Sequence, residues 1–330
     1  MIRYLKNNQL GSLLFILGFV VAWGLLLIKL NPSIQAQEGI APFAQWVQQG
    51  LFAFFGESPN GPSIIALVLI VLQSILFGAL SERNQLLYKN TWLPILFFAL
   101  FNLVFPAQLI LSAELMANSF LVLAVIAMFQ SQGKEFALPA LLNAGMLCGI
   151  AFLFAPSTFL FIPVFMLGIM LFKSLRGLDF LQYLTGYVLV LFFSISILYL
   201  LGMESIVFEY WSMNFLHPGD GAIWSEPYFL GFAIFLCLIL IPTLFRVQQN
   251  FYKNTIRGRK LQQFIFVYFI FAMLYMLLGA QSAKTSMGVL ALPLSIYFTY
   301  HYLPDKRKFL KDISFFLLLF AMLLQHWPLF

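Results

Sequence analysis

Charge is scarce in this sequence: only 9% of its 330 residues are Asp, Glu, Lys or Arg, against roughly a quarter in an ordinary soluble domain. A water-soluble fold of this size has too little polar surface to cover the 62% of residues that are hydrophobic. Lipid must therefore replace water around much of the chain. Histidine is nearly absent as well. His217, His301 and His326 are the whole complement and fall in separate regions, which argues against a histidine-based metal centre and against di-iron chemistry. Both cysteines, Cys148 and Cys237, lie inside apolar runs, the setting of a small buried hydrophobe rather than of a disulfide or metal pair. The sequence has no phosphate-cradling glycine loop with its lysine, no nucleophile elbow and no cysteine pair at metal spacing. No metal and no cofactor are expected. Tandem repeats, low-complexity linkers and a soluble domain are missing too.

What the chain has instead is long apolar runs, with a mean hydropathy of +0.93. Runs long enough to cross roughly 30 Å of hydrocarbon as helix fall at about 11–30, 62–80, 92–108, 113–130, 137–154, 157–173, 180–201, 228–245, 261–280, 287–302 and 313–329. The expectation is an all-α polytopic helix bundle forming a single membrane domain over 1–330, with about eleven spans. The third and fourth runs are short and closely joined, and a different reading near Pro106 removes one hairpin without changing the orientation of the rest. Arg3 and Lys6 precede the first run like the start of a secretory signal. That run is too long for a signal core and lacks a small-x-small cleavage site, so it is expected to remain as the first span.

Lysine and arginine collect in cytoplasmic connections, which tests the threading. With the N-terminus inside, sixteen of the 18 basic residues fall in inner connections and only Lys29 and Lys284 fall outside. The same threading puts the C-terminus outside. It also puts seven of the 12 acidic residues outside, Glu38 and Glu114 among them. Basic residues in short clusters between spans are a topology signal, so the net charge of +6 does not point to nucleic acid.

Two outer connections are longer than turns. The first, about 31–61, contains apolar residues at helical spacing with glutamines between them over 41–55, which predicts a helix lying in the membrane interface with Trp46 near the headgroups. The second, about 202–227, carries Tyr210, Trp211, His217, Asp220 and Trp224. Its aromatics fit an interfacial belt, and Pro218-Gly219-Asp220-Gly221 reads as a turn. Gly145 and Gly149 permit close helix packing in the fifth span.

Nearly every charged residue maps to a span end, so the chains of intramembrane carboxylates that proton-coupled carriers use are not found. Glu114, at the tight junction of the third and fourth spans, is the first candidate for chemistry: a carboxylate partly withdrawn from water is suited to proton transfer. Its plainer role is a first-turn carboxylate favoured by the helix dipole, with Ser112 at the cap. Glu38, beyond the first span, is the second candidate base, against a solvated loop carboxylate. Lys284 is a candidate phosphate holder, against a surface lysine reaching for water. His217 with Asp220 is a candidate acid/base pair, against simple exposure in a turn.

A first span, a long outer loop with an interfacial helix and then tightly joined helix pairs resemble the membrane module of class C glycosyltransferases. The stretches from Pro106 to Asn118 and from Asn143 to Ser157 are similar to that superfamily, and the resemblance covers residues 1–201, with 202–330 as additional transmembrane helices. It implies a polyprenyl-phosphate-linked substrate at the outer face. The superfamily places an aspartate soon after the first span as catalytic base. Here Asn31 to Gln37 contains none, Glu38 is the nearest substitute, and Glu114 matches the region of a second acidic residue. The whole chain also resembles a family of bacterial multispanning inner-membrane proteins of about this length with no assigned activity. Three functions fit: a glycosyltransferase-like protein handling a lipid-linked substrate, a non-catalytic scaffold subunit of an envelope assembly, and a lipid or small-molecule transporter. Membrane lipids are the expected partners, and the sequence names no protein partner.

Overall fold

The computed structural model describes residues 9–30, 41–55, 60–133, 138–172, 176–214, 227–278, 283–304 and 308–326. Among them the chain forms thirteen α-helices. These are α1 (Leu10–Leu30), α2 (Pro42–Phe55), α3 (Gly61–Arg83), α4 (Leu93–Asn102), α5 (Ala113–Ser131), α6 (Leu138–Phe154), α7 (Ile162–Phe172), α8 (Gly177–Leu201), α9 (Glu204–Asn214), α10 (Pro227–Asn250), α11 (Ile256–Leu278), α12 (Ala283–Tyr302) and α13 (Lys308–Gln325). Short 3₁₀ turns occupy Pro106–Leu109, Pro156–Phe161 and Phe251–Lys253.

Each apolar run carries a helix, because a backbone in hydrocarbon must satisfy its own N–H and C=O groups and a helix does so within one segment. Six of them, α1, α3, α5, α8, α10 and α11, are long and apolar enough to cross a membrane alone. The helix predicted over 41–55 is present as α2. The second long connection contains a helix, α9, that the turn-rich pattern did not single out, and its Trp211 is buried against Phe152 at 5.3 Å between ring centroids.

The third run departs from a simple span. Its helix, α4, has only 10 residues, with Pro94 in its first turn, and so rises about 15 Å. Every residue of α4 is buried in protein. A broken helix survives at membrane depth only where neighbouring helices re-satisfy the freed backbone groups, and α4 is enclosed by α3 and α12. Phe97 and Phe101 pack on Phe298, and Phe97 stacks on Tyr302 at 5.1 Å.

Burial separates inner from outer helices. The apolar segment of α5 is 72% buried, whereas those of α8 and α10 are 22% and 17% buried. Val188, Phe192, Phe193 and Ile197 stand exposed along α8, the surface expected to meet lipid. Cys148 is buried in the bundle and Cys237 is exposed on α10.

The tightest crossing joins α6 to α8. A Cβ built on Gly145 would lie 2.0 Å from the Tyr183 carbonyl oxygen, and one on Gly186 would lie 2.3 Å from the Leu142 carbonyl oxygen. The obstacles are backbone atoms, so the two axes approach closely only because both positions lack a side chain. At its far end α8 stops at Gly202, whose φ of +65° is a left-handed cap that glycine adopts without strain.

Candidate functional site

The break after α4 creates the site. Ten residues separate the end of α4 from the start of α5, and their carbonyls and amides need partners. Side-chain amides supply many of them. Asn102 Nδ2 donates to the Phe98 carbonyl at 2.9 Å, Gln48 of α2 donates to the Leu111 carbonyl, and His326 lies 3.0 Å from the Leu103 carbonyl. The Gln108 amide, oriented to satisfy both its ends, donates to the Asn102 carbonyl at 2.9 Å and accepts from the Gly288 N–H at 2.8 Å.

A second layer of amides ties three helices together. Asn118 Nδ2 donates to the Gly288 carbonyl at 3.2 Å and to Gln73 Oε1 at 3.3 Å. Gln73 Nε2 in turn donates to Ser119 Oγ at 2.6 Å and to the Leu115 carbonyl at 3.2 Å. Gly288 is what lets α12 reach this cluster, since a Cβ there would sit 2.8 Å from Asn102 Oδ1. These amides interrupt otherwise apolar runs. A polar residue in such a run marks either function or helix-to-helix contact, and that signal could have picked them from the sequence.

The cluster also sets the register of the two charged candidates. Asn102 meets Gly288 while Phe97 meets Tyr302, so α4 and α12 are antiparallel. Since α5 turns back from α4, α5 and α12 run in the same direction. Asn118 and Gly288 are the sixth residues of their helices, and Glu114 and Lys284 are the second. Glu114 and Lys284 therefore lie one turn from the Asn118 to Gly288 contact, on the same helix faces and toward the same end of the bundle.

Glu114 is buried, with 4% of its surface exposed, and Lys284 is half-buried. Ser112 caps α5, its Oγ accepting from the Leu115 N–H at 3.1 Å, so the expected cap and first-turn carboxylate are both in place. We expect Ser112→Ala to destabilise the protein by about 1 kcal/mol, read as a lower melting midpoint in detergent with the helix content of the native state unchanged.

A tyrosine lies within electrostatic range of the carboxylate. The Tyr275 hydroxyl of α11 lies beside Ser157 and within electrostatic range of Glu114, Tyr210 and Tyr268. Tyr210 of α9 in turn points its hydroxyl at the Phe154 carbonyl, 3.5 Å away. Sequence reading missed Tyr275 and gave Tyr210 only an interfacial place and Ser157 only a place in the similar stretch; all three are far from Glu114 in the chain. Glu38, His217 and Asp220 lie outside the described residues.

An acidic residue on a first helical turn, a cation in register with it and a broken helix held by amides form a polar end on an otherwise apolar bundle. The fold that carries them is that of a multispanning helical membrane protein, and it is similar to a solved membrane-protein structure. The crystal structure of ArnT from Cupriavidus metallidurans bound to undecaprenyl phosphate matches it with a TM-score of 0.61 at 12% identity. The match covers 95% of this chain, beyond the 1–201 stretch on which the resemblance was read, and 63% of the ArnT chain. This chain thus spans less than two thirds of the length of that structure's chain. It belongs to a family of proteins of unknown function (DUF6427), which matches residues 48–327. No curated protein matches the sequence.

Proposed function

We propose that this protein handles a polyprenyl-phosphate-linked substrate at the Glu114 end of the bundle, as a glycosyltransferase-like protein of the bacterial cytoplasmic membrane. In this reading the chain crosses about eleven times, with its N-terminus inside and the Glu114 end at the outer face, as the basic-residue asymmetry of the sequence requires. The observation that carries the reading is the shared register of Glu114 and Lys284, set in a fold common to a protein bound to undecaprenyl phosphate. Lys284 supplies a cation for the phosphate, and its half-burial strengthens that attraction relative to a charge in water. Glu114, buried within electrostatic range of the Tyr275 hydroxyl, serves as the proton acceptor. Glu38 remains the second candidate base, and His217 with Asp220 a candidate substrate contact from the second long connection.

Mass spectrometry of lipids that co-purify with the protein tests this directly. A polyprenyl-phosphate species should be enriched over bulk membrane lipid in the native protein. It should fall by about tenfold or more in a Glu114→Gln, Lys284→Ala double variant, as expected for loss of a charge-assisted phosphate contact. Only bulk phospholipid in both samples would remove the transferase-like reading and leave a scaffold role as the better account.

A further inference from the structure

At the opposite end of the bundle, the last turns of α3 and α5 and the first turn of α11 line an open cavity of about 570 Å³. It is lined by Leu76, Ala79, Leu80, Arg83, Asn84, Ile126, Gln130, Gln132 and Arg257, an arrangement with two zones. On α3 the residues Leu76, Ala79, Leu80 and Arg83 follow helical spacing along one face, so the wall changes from apolar to cationic over about 10 Å. On α5, Ile126 and Gln130 change from apolar to polar one turn apart. The apolar zone faces into the bundle and the cationic zone faces the helix ends.

The arginine at the rim is held in place. Arg257 Nη2 donates to Asn84 Oδ1 at 2.8 Å, and its Nε donates to Gln132 Oε1 at 3.2 Å. Gln132 answers by donating from Nε2 to the Arg257 carbonyl at 3.2 Å, and Asn84 is itself fixed by donating to the Leu80 carbonyl at 2.9 Å. These partners are neutral amide oxygens. They fix the direction of the guanidinium without cancelling its charge, and N–H groups remain on it for an anion. Arg83 adds a second guanidinium to the same cavity.

We propose that this cavity binds a phosphate-bearing ligand, with Arg83 and Arg257 on the phosphate and the hydrocarbon next to it against Leu76, Leu80 and Ile126. Two guanidiniums match the charge and fork geometry of a phosphate group. The apolar zone behind them matches the glycerol and first methylenes of a lipid better than it matches water. Basic pockets between membrane helices at the cytoplasmic side are a recurring way to hold lipid headgroups, and the charge asymmetry of the sequence assigns this end to that side. The site is independent of the Glu114 end, since Glu114 and Gln130 are about 24 Å apart along α5.

The test measures binding of dihexanoyl phosphatidic acid to the purified full-length protein in detergent by thermal shift, with dihexanoyl glycerol as the uncharged analogue. The native protein should be stabilised in a saturable way by the phosphatidic acid and not by the glycerol. Arg83→Gln and Arg257→Gln should each weaken that response about tenfold. Arg257→Gln also loosens Asn84 and Gln132, so Ala79→Trp provides the second route: residue 79 is exposed within the cavity, and an indole there fills the space without entering the core. It should abolish the response while the protein without ligand melts as before. Competition by inorganic phosphate would identify free phosphate as a sufficient ligand, and its absence would identify the lipid; either agrees with a phosphate site. Equal stabilisation by dihexanoyl glycerol, or a native response in all three variants, would overturn the proposal. The Glu114→Gln, Lys284→Ala protein should respond like the native one, so failure of the outer-end reading would leave this result intact.

Discussion

A Gly145→Ala variant will melt well below the native protein, although the change adds only one methyl group. The new Cβ would stand 2.0 Å from the Tyr183 carbonyl oxygen, and a backbone oxygen inside a helix cannot rotate away as a side-chain tip can. Helices α6 and α8 must move apart by more than 1 Å to restore ordinary contact, about 3.4 Å or more. In a bilayer that separation is expensive in a particular way: lipid tails are as apolar as leucine, so helix association rests on close packing and interhelical hydrogen bonds. The expected destabilisation is about 3 kcal/mol, at the upper end of ordinary overpacking, and Gly186→Ala should behave alike because its Cβ would meet Leu142 backbone at 2.3 Å. The matching control is Gly18→Ala, where nothing lies within 4 Å and the gain in helix propensity should leave stability equal or slightly higher. Melting midpoints of the three proteins in one detergent decide the matter. Equal midpoints for Gly145→Ala and Gly18→Ala would mean that the α6 to α8 crossing is looser than described.

Asn118→Leu should produce the second large loss. The amide nitrogen bridges Gln73 Oε1 and the Gly288 carbonyl, so its removal strands the buried Gln73 Oε1 and takes from the helical Gly288 carbonyl its second donor. A stranded buried acceptor costs about 1–3 kcal/mol. Measured hydrogen bonds in membrane proteins lie at the low end of such ranges, which places the combined loss at about 2 kcal/mol. Removing both sides of one contact separates a hydrogen-bond role from a shape role: Gln73→Leu in the Asn118→Leu background should cost less than the sum of the two single changes. Strict additivity, measured by chemical or thermal unfolding, would show that the two amides act separately. The same variant bears on function, because Asn118 fixes the register in which α5 and α12 present Glu114 and Lys284. Loss of co-purifying polyprenyl phosphate should accompany loss of stability, whereas Glu114→Gln should lower lipid retention with little change in the midpoint.

The break in the third apolar run shows where sequence reading stops. Residues 92–108 have the composition of a span, and a helix does start there, but Pro94 sits in its first turn and the helix ends at Asn102. Composition alone cannot distinguish a span from a short helix wrapped in protein, because both bury apolar residues and differ only in what covers them. Ser112 and Glu114 were legible for the opposite reason. A cap is a local arrangement, set by residues within one turn of each other, and no distant part of the chain is needed to recognise it.

By itself the sequence determined that this is a multispanning helical membrane protein, where most of its helices lie, and the pairing of Ser112 with the start of α5. Those features follow from hydropathy and from contacts between near neighbours in the chain, which linear order already contains. Only the tertiary structure decided that Tyr275 comes within electrostatic range of Glu114 with Ser157 beside it, that Lys284 shares its register through Asn118 and Gly288, and that Arg83 and Arg257 line one cavity. Each of these joins residues from helices separated by tens of residues or more. Their meeting is fixed by how close two helix axes come, and glycines and buried amides set that distance only once the helices are packed.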